Sequence, residues 1–274
     1  MPVRVITDSA AALGAGVAAE HGVVVVPIRV VIGGTAHQDG EVPLSEVVSR
    51  VHDGVTTSGP PPGAFLEALD GAEDGAVIIT VAGALSSTLV SAGIAAGRVP
   101  VDVRLVDTGT AAGAQALVAL HAAEVAAQGA SLEEVEVAAR RVAGRSRLLG
   151  MLETLDYLVR GGRVNNIVGL AGRLGVRPLF ELSGGKIHRL RPAFSTRGGR
   201  RRLLGEWHRS RVPGARAHVI ALHAMAEDGA RWLLDAVCRE CDPATALVSE
   251  FGAGMVVHTG PGLIGLAWWW EDEL

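Results

Sequence analysis

The sequence predicts an α/β domain with a mostly parallel sheet and helices on both of its faces, followed by a second, α+β domain. Short β-branched runs alternate with helical patterns through the first half of the chain, which is typical of parallel sheets. Antiparallel hairpin signals dominate after Gly150. The length of 274 residues also exceeds the usual size of one domain. We therefore expect domains at residues 1–151 and 152–274, with a ligand bound between them.

The first domain is predicted from the alternation of strand and helix periodicities. A Gly pair at 33 and 34 separates two apolar runs and predicts a hairpin. In chain order, the predicted elements are a strand at 3–7, a helix at 13–22, a buried strand and the hairpin within 23–40, helices at 43–53 and 61–72, a strand at 76–82, a helix from about Ser87, a strand at 101–107, and helices at 110–128 and 132–145.

The second domain begins with a short helix at 155–166, which Gly161 and Gly162 should interrupt. Residues 176–190 predict a hairpin that turns at Gly184 and Gly185. A helix, a strand, a helix and two further strands complete the pattern. No low-complexity linker separates the halves, so the two domains should pack closely.

Composition argues against several classes of function. A net charge of −4 and a pI near 6.1 disfavour a general nucleic-acid binder. No segment reaches the roughly 18 uninterrupted apolar residues of a membrane span, and the first residues lack the apolar run of a signal peptide. We therefore expect a cytoplasmic protein without stable membrane insertion, although a transient contact with a membrane is compatible with this composition.

Other motifs fail on their context. Cys238 and Cys241 form a C-x-x-C at the end of a helical pattern, whereas the redox motif requires a helix N-terminus. The chain has no second cysteine pair for a zinc site, so we interpret this pair as structural or incidental. Residues 14–19 match a dinucleotide pattern but lie too far beyond the strand. His218 and His223 are five apart in one predicted strand and so face opposite sides. We expect neither a metal nor a cofactor.

Two loops concentrate hydroxyl groups and almost no charge, at TTSGPPP (56–62) and LSST (85–88). The second loop follows a buried strand and opens onto a helix, where ligands bind in parallel sheets. The unpaired N–H groups of a helix N-terminus suit a carboxylate or a phosphate. Ser58 and Ser86 could instead each be simple N-caps. Because two such loops occur in one domain, we favour a ligand site.

At these loops the chain resembles the DegV family of fatty-acid-binding proteins. The similar segments run in order from Ile6 to Leu266. They are ITDSAA against T-D-S-x-x, VPIRV against the family's second strand, TTSGPPPGAF against T-S-Q-P-S-x-x-x-F, LSSTLVSA against L-S-G-T-Y-x-S-A, VDTGTAAGAQALV against I-D-S-x-x-x-S-x-G, LDYLVRGGRV against L-x-Y-L-x-K-G-G-R-I, GVRPLFELSGGKI against I-K-P-I-L-x-x-x-D-G-K-I, and HTGPGLIGL against H-x-G-P-G.

This resemblance implies a protein that binds a long-chain fatty acid, of the palmitate or oleate class, in an apolar tunnel between its domains. It also implies that a separate ATP-dependent fatty acid kinase phosphorylates the bound carboxyl group, so the protein itself is not catalytic. Thr57 and Ser86 match the headgroup contacts, and Arg163 and His258 match residues near the mouth. The complete set of candidate ligand-binding residues is Thr57, Ser58, Ser86, Ser87, Arg163, His258 and Thr259.

The chain departs from the family pattern at three headgroup positions. Gly59 replaces Gln, Ser87 replaces Gly and Leu89 replaces Tyr, which affects headgroup geometry and chain-length preference. Ser195 stands where a basic family segment has Arg. An acid-free run nearby is the candidate partner-binding surface, and its members are Arg197, Arg200, Arg201 and Arg202.

Two alternative functions remain open at this stage. A serine hydrolase would use Ser86 as the nucleophile and His258 as the base, with Asp107 as the third member. A binder of small polyols or carbonyls, similar to the dihydroxyacetone-kinase fold group, would use a histidine to engage its ligand. A wide apolar tunnel would count against the second alternative.

Overall fold

The computed structural model describes residues 2–160 and 175–271. Its strands are β1 (Arg4–Asp8), β2 (Val23–Val26), β3 (Arg29–Ile32), β4 (Thr35–Gln38), β5 (Thr56–Ser58), β6 (Ala76–Thr80), β7 (Val103–Asp107), β8 (Arg147–Met151), β9 (Arg177–Ser183), β10 (Lys186–Ala193), β11 (Ala217–His223), β12 (Thr245–Glu250) and β13 (Ile264–Trp270). Its helices are α1 (Ala15–Glu20), α2 (Leu44–Arg50), α3 (Pro62–Leu69), α4 (Thr88–Ala96), α5 (Ala112–Ala127), α6 (Leu132–Arg145), α7 (Asp156–Arg160), α8 (Thr196–Arg209), α9 (Glu227–Cys238) and α10 (Ala253–Thr259).

The first sheet is parallel throughout, with the strand order β2-β1-β6-β7. One face packs on α3 and α4 through Ile6, Ile78 and Phe65, which are all fully buried. The other face packs on α5 and α6. The predicted parallel sheet with helices on both faces is therefore confirmed.

The second sheet has the order β10-β9-β8-β13-β11-β12 and is antiparallel except for the β11–β12 pair. Helices α8 and α9 cover one face, where Trp207 and Trp268 are buried. The predicted hairpin at Gly184 and Gly185 joins β9 to β10. Strand β8 belongs to this sheet although it precedes the boundary at 151/152. The division into two domains remains a prediction.

Helix α5 lies between the two sheets and contacts β1 on one side and β11 and β13 on the other. Its sequence AGAQALVALHAAEVAA is mostly apolar, and twelve of its sixteen residues are buried, as expected for a helix packed between two layers. Small residues set the spacing, because a Cβ on Gly113 would lie 3.0 Å from the Cβ of Ala267 and 3.1 Å from that of Ile220.

A small third sheet has the strand order β4-β3-β5. The predicted hairpin at Gly33 and Gly34 is confirmed. The interpretation of residues 56–58 as a turn was wrong, since these residues form β5 and pair with β3. Helix α10 packs against β3 and β5, through Val30 and Val257 among others.

Helix α10 was not predicted from the sequence, because its local helical signal is weak. The helix spans seven residues, has no side-chain cap and is flanked by Gly252 and Gly260, and each of these features weakens the signal. The predicted interruption of α7 at Gly161 and Gly162 lies outside the described residues. No helix within the described ranges is long and apolar enough to cross a membrane.

Candidate functional site

A cavity of about 330 Å³ lies between the two sheets. The second sheet contributes apolar side chains from β8, β9, β10 and β11, and α10 and the loops of the first domain close the other sides. Its lining residues include Leu148, Leu149, Phe180, Leu182, Ile187, Leu222, Phe251, Met255 and Leu263. Among the described lining residues there is no Asp, Glu, Lys or Arg.

Six of the seven candidate ligand-binding residues line this cavity together. They are Thr57, Ser58, Ser86, Ser87, His258 and Thr259. The two hydroxyl-rich loops at 56–62 and 85–88 thus contribute to the lining of one largely apolar cavity. The seventh candidate, Arg163, lies outside the described residues.

The loop that carries Ser86 connects β6 to α4 and is held mainly through its backbone. The N–H of Val81 donates to Oδ2 of Asp8 at 2.9 Å, and the N–H of Ala82 donates to the carbonyl of Thr110 at 2.8 Å. The N–H of Gly83 donates to the carboxylate of Asp107 at 3.1 Å. The loop geometry is therefore set by its neighbours, and the serine hydroxyls do not have to hold it.

The N-cap interpretation was wrong for Ser58, because Pro61 occupies the N-cap of α3. Ser87 occupies the N-cap of α4 and makes no capping hydrogen bond. Ser86, one residue earlier, supplies a capping contact, because its Oγ accepts from the N–H of Thr88 at 3.3 Å; this oxygen also lies 2.8 Å from Oγ1 of Thr88. When Thr88 donates, both lone pairs of the Ser86 oxygen are engaged, so its own O–H must donate elsewhere. Ser86 then presents a donor to the cavity.

Thr57 pairs with His258 across the cavity edge, with Oγ1 and Nε2 separated by 2.7 Å. The direction of this bond follows the proton on the ring, because Nε2 donates when protonated and accepts when it is not. If Nε2 carries the proton, Thr57 accepts from the imidazole and its own O–H is left for a ligand. Thr57 and Ser86 then both offer donors, which suits an anionic oxygen ligand.

Asp8 was missed by the sequence analysis as a functional residue, although the ITDSAA segment contains it. It lies at the end of β1, fully buried, and accepts from the N–H groups of Ala10 and Val81 and from Nε2 of Gln115. Burial raises its pKa from 3.8 to about 6, against the opposing effect of these hydrogen bonds. Since Ala10 and Val81 line the cavity, Asp8 fixes the wall from behind.

Asp39 fixes α10, and therefore His258, in a similar way. Its carboxylate accepts from the hydroxyl of Ser9 at 2.8 Å and from the N–H of Gly254 at 3.2 Å. A Cβ on Gly254 would lie 2.0 Å from Cδ1 of Ile28, so this close approach requires glycine.

The catalytic triad of the hydrolase alternative is not assembled among the described residues. His258 pairs with Thr57, and Ser86 pairs with Thr88. Asp107 accepts from the N–H groups of Gly83 and Gly109. The apolar walls of the cavity likewise count against a polyol binder.

The four arginines of the predicted partner surface have different environments. The guanidinium of Arg200 lies 5.4 Å from the centre of the Trp232 ring, and Arg202 donates to the carbonyls of Arg191 and Pro192. Arg197 and Arg201 are exposed. Of these four arginines, only Arg197 and Arg201 combine exposure with no hydrogen bond, ion pair or ring contact from the side chain to the described part of the chain.

The remaining sequence candidates lie away from the cavity. His218 bonds to Thr245 and Glu271 and stacks on Trp269 at 4.5 Å. Burial raises the pKa of both the Cys238 and Cys241 thiols, which disfavours reactive thiolates. No group of three His, Cys, Asp or Glu side chains within the described ranges is arranged to hold a metal ion.

The sequence and the fold match those of one protein family. The family model described as uncharacterised proteins of the DegV family matches residues 2–271. A DegV domain-containing protein of Streptomyces coelicolor is 37% identical, over 96% of this chain and 97% of that protein. The chain therefore belongs to the DegV family, and the predicted resemblance is confirmed.

Solved structures show the same fold. A DegV family protein from Thermus thermophilus, described as binding fatty acid, has a TM-score of 0.90 and 30% identity, covering 99% of this chain and 100% of that one. The B3 protein of the Streptococcus pneumoniae fatty acid kinase, loaded with linoleic acid, has a TM-score of 0.85 and 20% identity, covering 99% and 100%. At that lower identity the likeness concerns the fold alone.

Proposed function

We propose that this protein binds one long-chain fatty acid in the cavity between its sheets and presents the carboxylate to an ATP-dependent kinase. The observation that carries the proposal is that the hydroxyls of Thr57 and Ser86 line one largely apolar cavity, whose described lining has no Asp, Glu, Lys or Arg. The fatty-acid binding described for the Thermus protein supports the same ligand class.

The headgroup chemistry fits a carboxylate that must remain reactive. Neutral O–H donors orient the carboxylate without the bidentate clamp that an arginine would make. One carboxylate oxygen can then accept hydrogen bonds while the other attacks the γ-phosphoryl group of ATP on the partner, with ADP leaving. The phosphoryl transfer itself belongs to the kinase.

The tail supplies most of the affinity in this proposal. Burying a methylene contributes about 0.8 kcal/mol, so about fourteen methylenes contribute on the order of 11 kcal/mol before ordering costs. A modest headgroup interaction is therefore sufficient. Palmitate or oleate has a tail of the length that this estimate assumes.

The exposed pair Arg197 and Arg201 is the part of the predicted partner surface that we retain for the kinase. Both lie on α8 at i, i+4 and so share one face of the helix. Arg202 serves instead to attach α8 to β10. An acidic patch on the kinase would complement the exposed pair.

The ligand class is tested by titrating the delipidated protein with three sixteen-carbon probes: palmitate, hexadecanol and hexadecylamine. The tail is shared, so differences report the headgroup. We expect palmitate to bind most tightly and hexadecylamine most weakly, because the hydroxyl groups of Thr57 and Ser86 offer hydrogen-bond donors in this proposal. Equal affinity for all three, or no binding of palmitate, would contradict the proposal.

A further inference from the structure

The turn between β9 and β10 contacts the loop that carries Ser86. The N–H of Gly185 donates to the carbonyl of Gly109 at 2.7 Å, which joins the second sheet to the first domain. Gly185 is buried, and a Cβ built on it would lie 2.9 Å from the Cβ of Ala84. Ala84 stands two positions before Ser86. The turn is therefore in direct contact with the loop at 81–87, which we call the headgroup loop.

The same hairpin also forms part of the wall around the tail. Phe180, Leu182 and Ile187, on the two strands of the hairpin, line the cavity. Strand β10 is the edge strand of its sheet and, among the described strands, pairs only with β9. A movement of this hairpin away from the first domain would therefore widen the cavity and, at the same time, remove the contact that restrains the headgroup loop.

We propose that Gly185 is a positioning residue, which holds the loop at 81–87 against the bound ligand and thereby sets the rate of ligand release. This inference rests on the proposed function. A ligand enclosed between the sheets needs an opening for entry and exit. The 184–185 turn is suited to that opening, because in the part of the chain that the structure describes two contacts hold it to the first domain: the hydrogen bond from Gly185 to Gly109 and the close approach of Gly185 to Ala84 in the loop at 81–87.

The glycine requirement has two sources, and the chain offers a variant that separates them. Gly184 and Gly185 both have positive φ, at 55° and 71°, so alanine strains the turn at either position. A Cβ on Gly184 meets nothing within 4 Å, whereas one on Gly185 meets Ala84. Gly184→Ala is therefore a matched control: it introduces the backbone strain of alanine at positive φ but does not displace the loop at 81–87.

The test measures release of radiolabelled palmitate from the full chain into excess unlabelled palmitate, with thermal unfolding measured in parallel. We expect Gly185→Ala to release palmitate about tenfold faster than Gly184→Ala, as for loss of one hydrogen bond between the domains. Ala84→Val should also speed the release of palmitate, because the larger side chain crowds Gly185 while the residues of the turn stay unchanged. Ala84→Gly combined with Gly185→Ala should restore the slower rate, because it removes the clashing methyl group.

Equal release rates for the two glycine variants, when both are folded, would overturn the inference. If Gly185→Ala does not fold, Ala84→Val decides, and an unchanged release rate overturns the inference in that case. Failure of the wild-type protein to bind palmitate would instead contradict the proposed function.

Discussion

Replacing Thr57 with valine removes one hydroxyl from the cavity while keeping the shape of the side chain. Thr57 is half-buried, lines the cavity and lies 2.7 Å from Nε2 of His258. A hydrogen bond to a charged group contributes about 1.5–3 kcal/mol. Thr57→Val should therefore raise the Kd for palmitate roughly ten- to a hundredfold, measured by calorimetric titration of the delipidated protein.

Two controls separate the lost donor from general damage. Thr56→Val changes the neighbouring residue of β5, which is exposed and does not line the cavity, so it should leave the Kd unchanged. Thr57→Ser keeps the hydroxyl and should therefore retain most of the wild-type affinity for palmitate. Hexadecanol binding should respond less to Thr57→Val than palmitate binding does, since the lost bond involves a charge. If Thr57→Val binds palmitate as the wild type does, the headgroup assignment is wrong.

Three further predictions concern the cradle, the buried acid and the partner surface. Ser86→Ala should raise the Kd for palmitate about tenfold by calorimetry, from loss of one donor; an unchanged Kd contradicts this. The raised pKa of Asp8 means that its stabilising contribution is present below about pH 4 and lost as pH rises through about 6. Relative to Asp8→Asn, the unfolding free energy of the wild type should fall by about 2 kcal/mol between about pH 4 and pH 7, and a constant difference in denaturant titrations would contradict the burial argument. Charge reversal of Arg197 and Arg201 should slow acyl-phosphate formation with the kinase without changing the palmitate Kd; unchanged turnover would exclude these residues from docking.

The sequence predicted most of the fold because local periodicity is strong in its longer elements. Helix α6 spans the predicted residues, and α5 differs from its prediction by a few residues at each end. The position of α5 between the two sheets could not be predicted, because an alanine-rich helix that is mostly apolar does not indicate its partners. Strand β5 was missed because its three residues become a strand only by pairing with β3.

The sequence also located the candidate site, mainly through the family resemblance and the two hydroxyl-rich loops. It could not show the bond between Thr57 and His258, which are 201 residues apart and meet through packing of α10 on the small sheet. It could not show that Arg202 bonds to the backbone of β10, since a run of arginines has the same appearance whether exposed or attached. Asp8 was missed because nothing local shows that a residue at a strand end is fully buried.

Native mass spectrometry of the purified protein tests the central claim most directly. A buried acyl tail gives slow dissociation, so the ligand should survive purification. The account predicts an added mass in the range of a saturated or monounsaturated long-chain fatty acid, lost on organic extraction and regained with palmitate. The Ser86→Ala variant should show a smaller occupied fraction. An empty protein that also fails to take up palmitate or oleate, or one that carries a phosphorylated metabolite, would contradict the account.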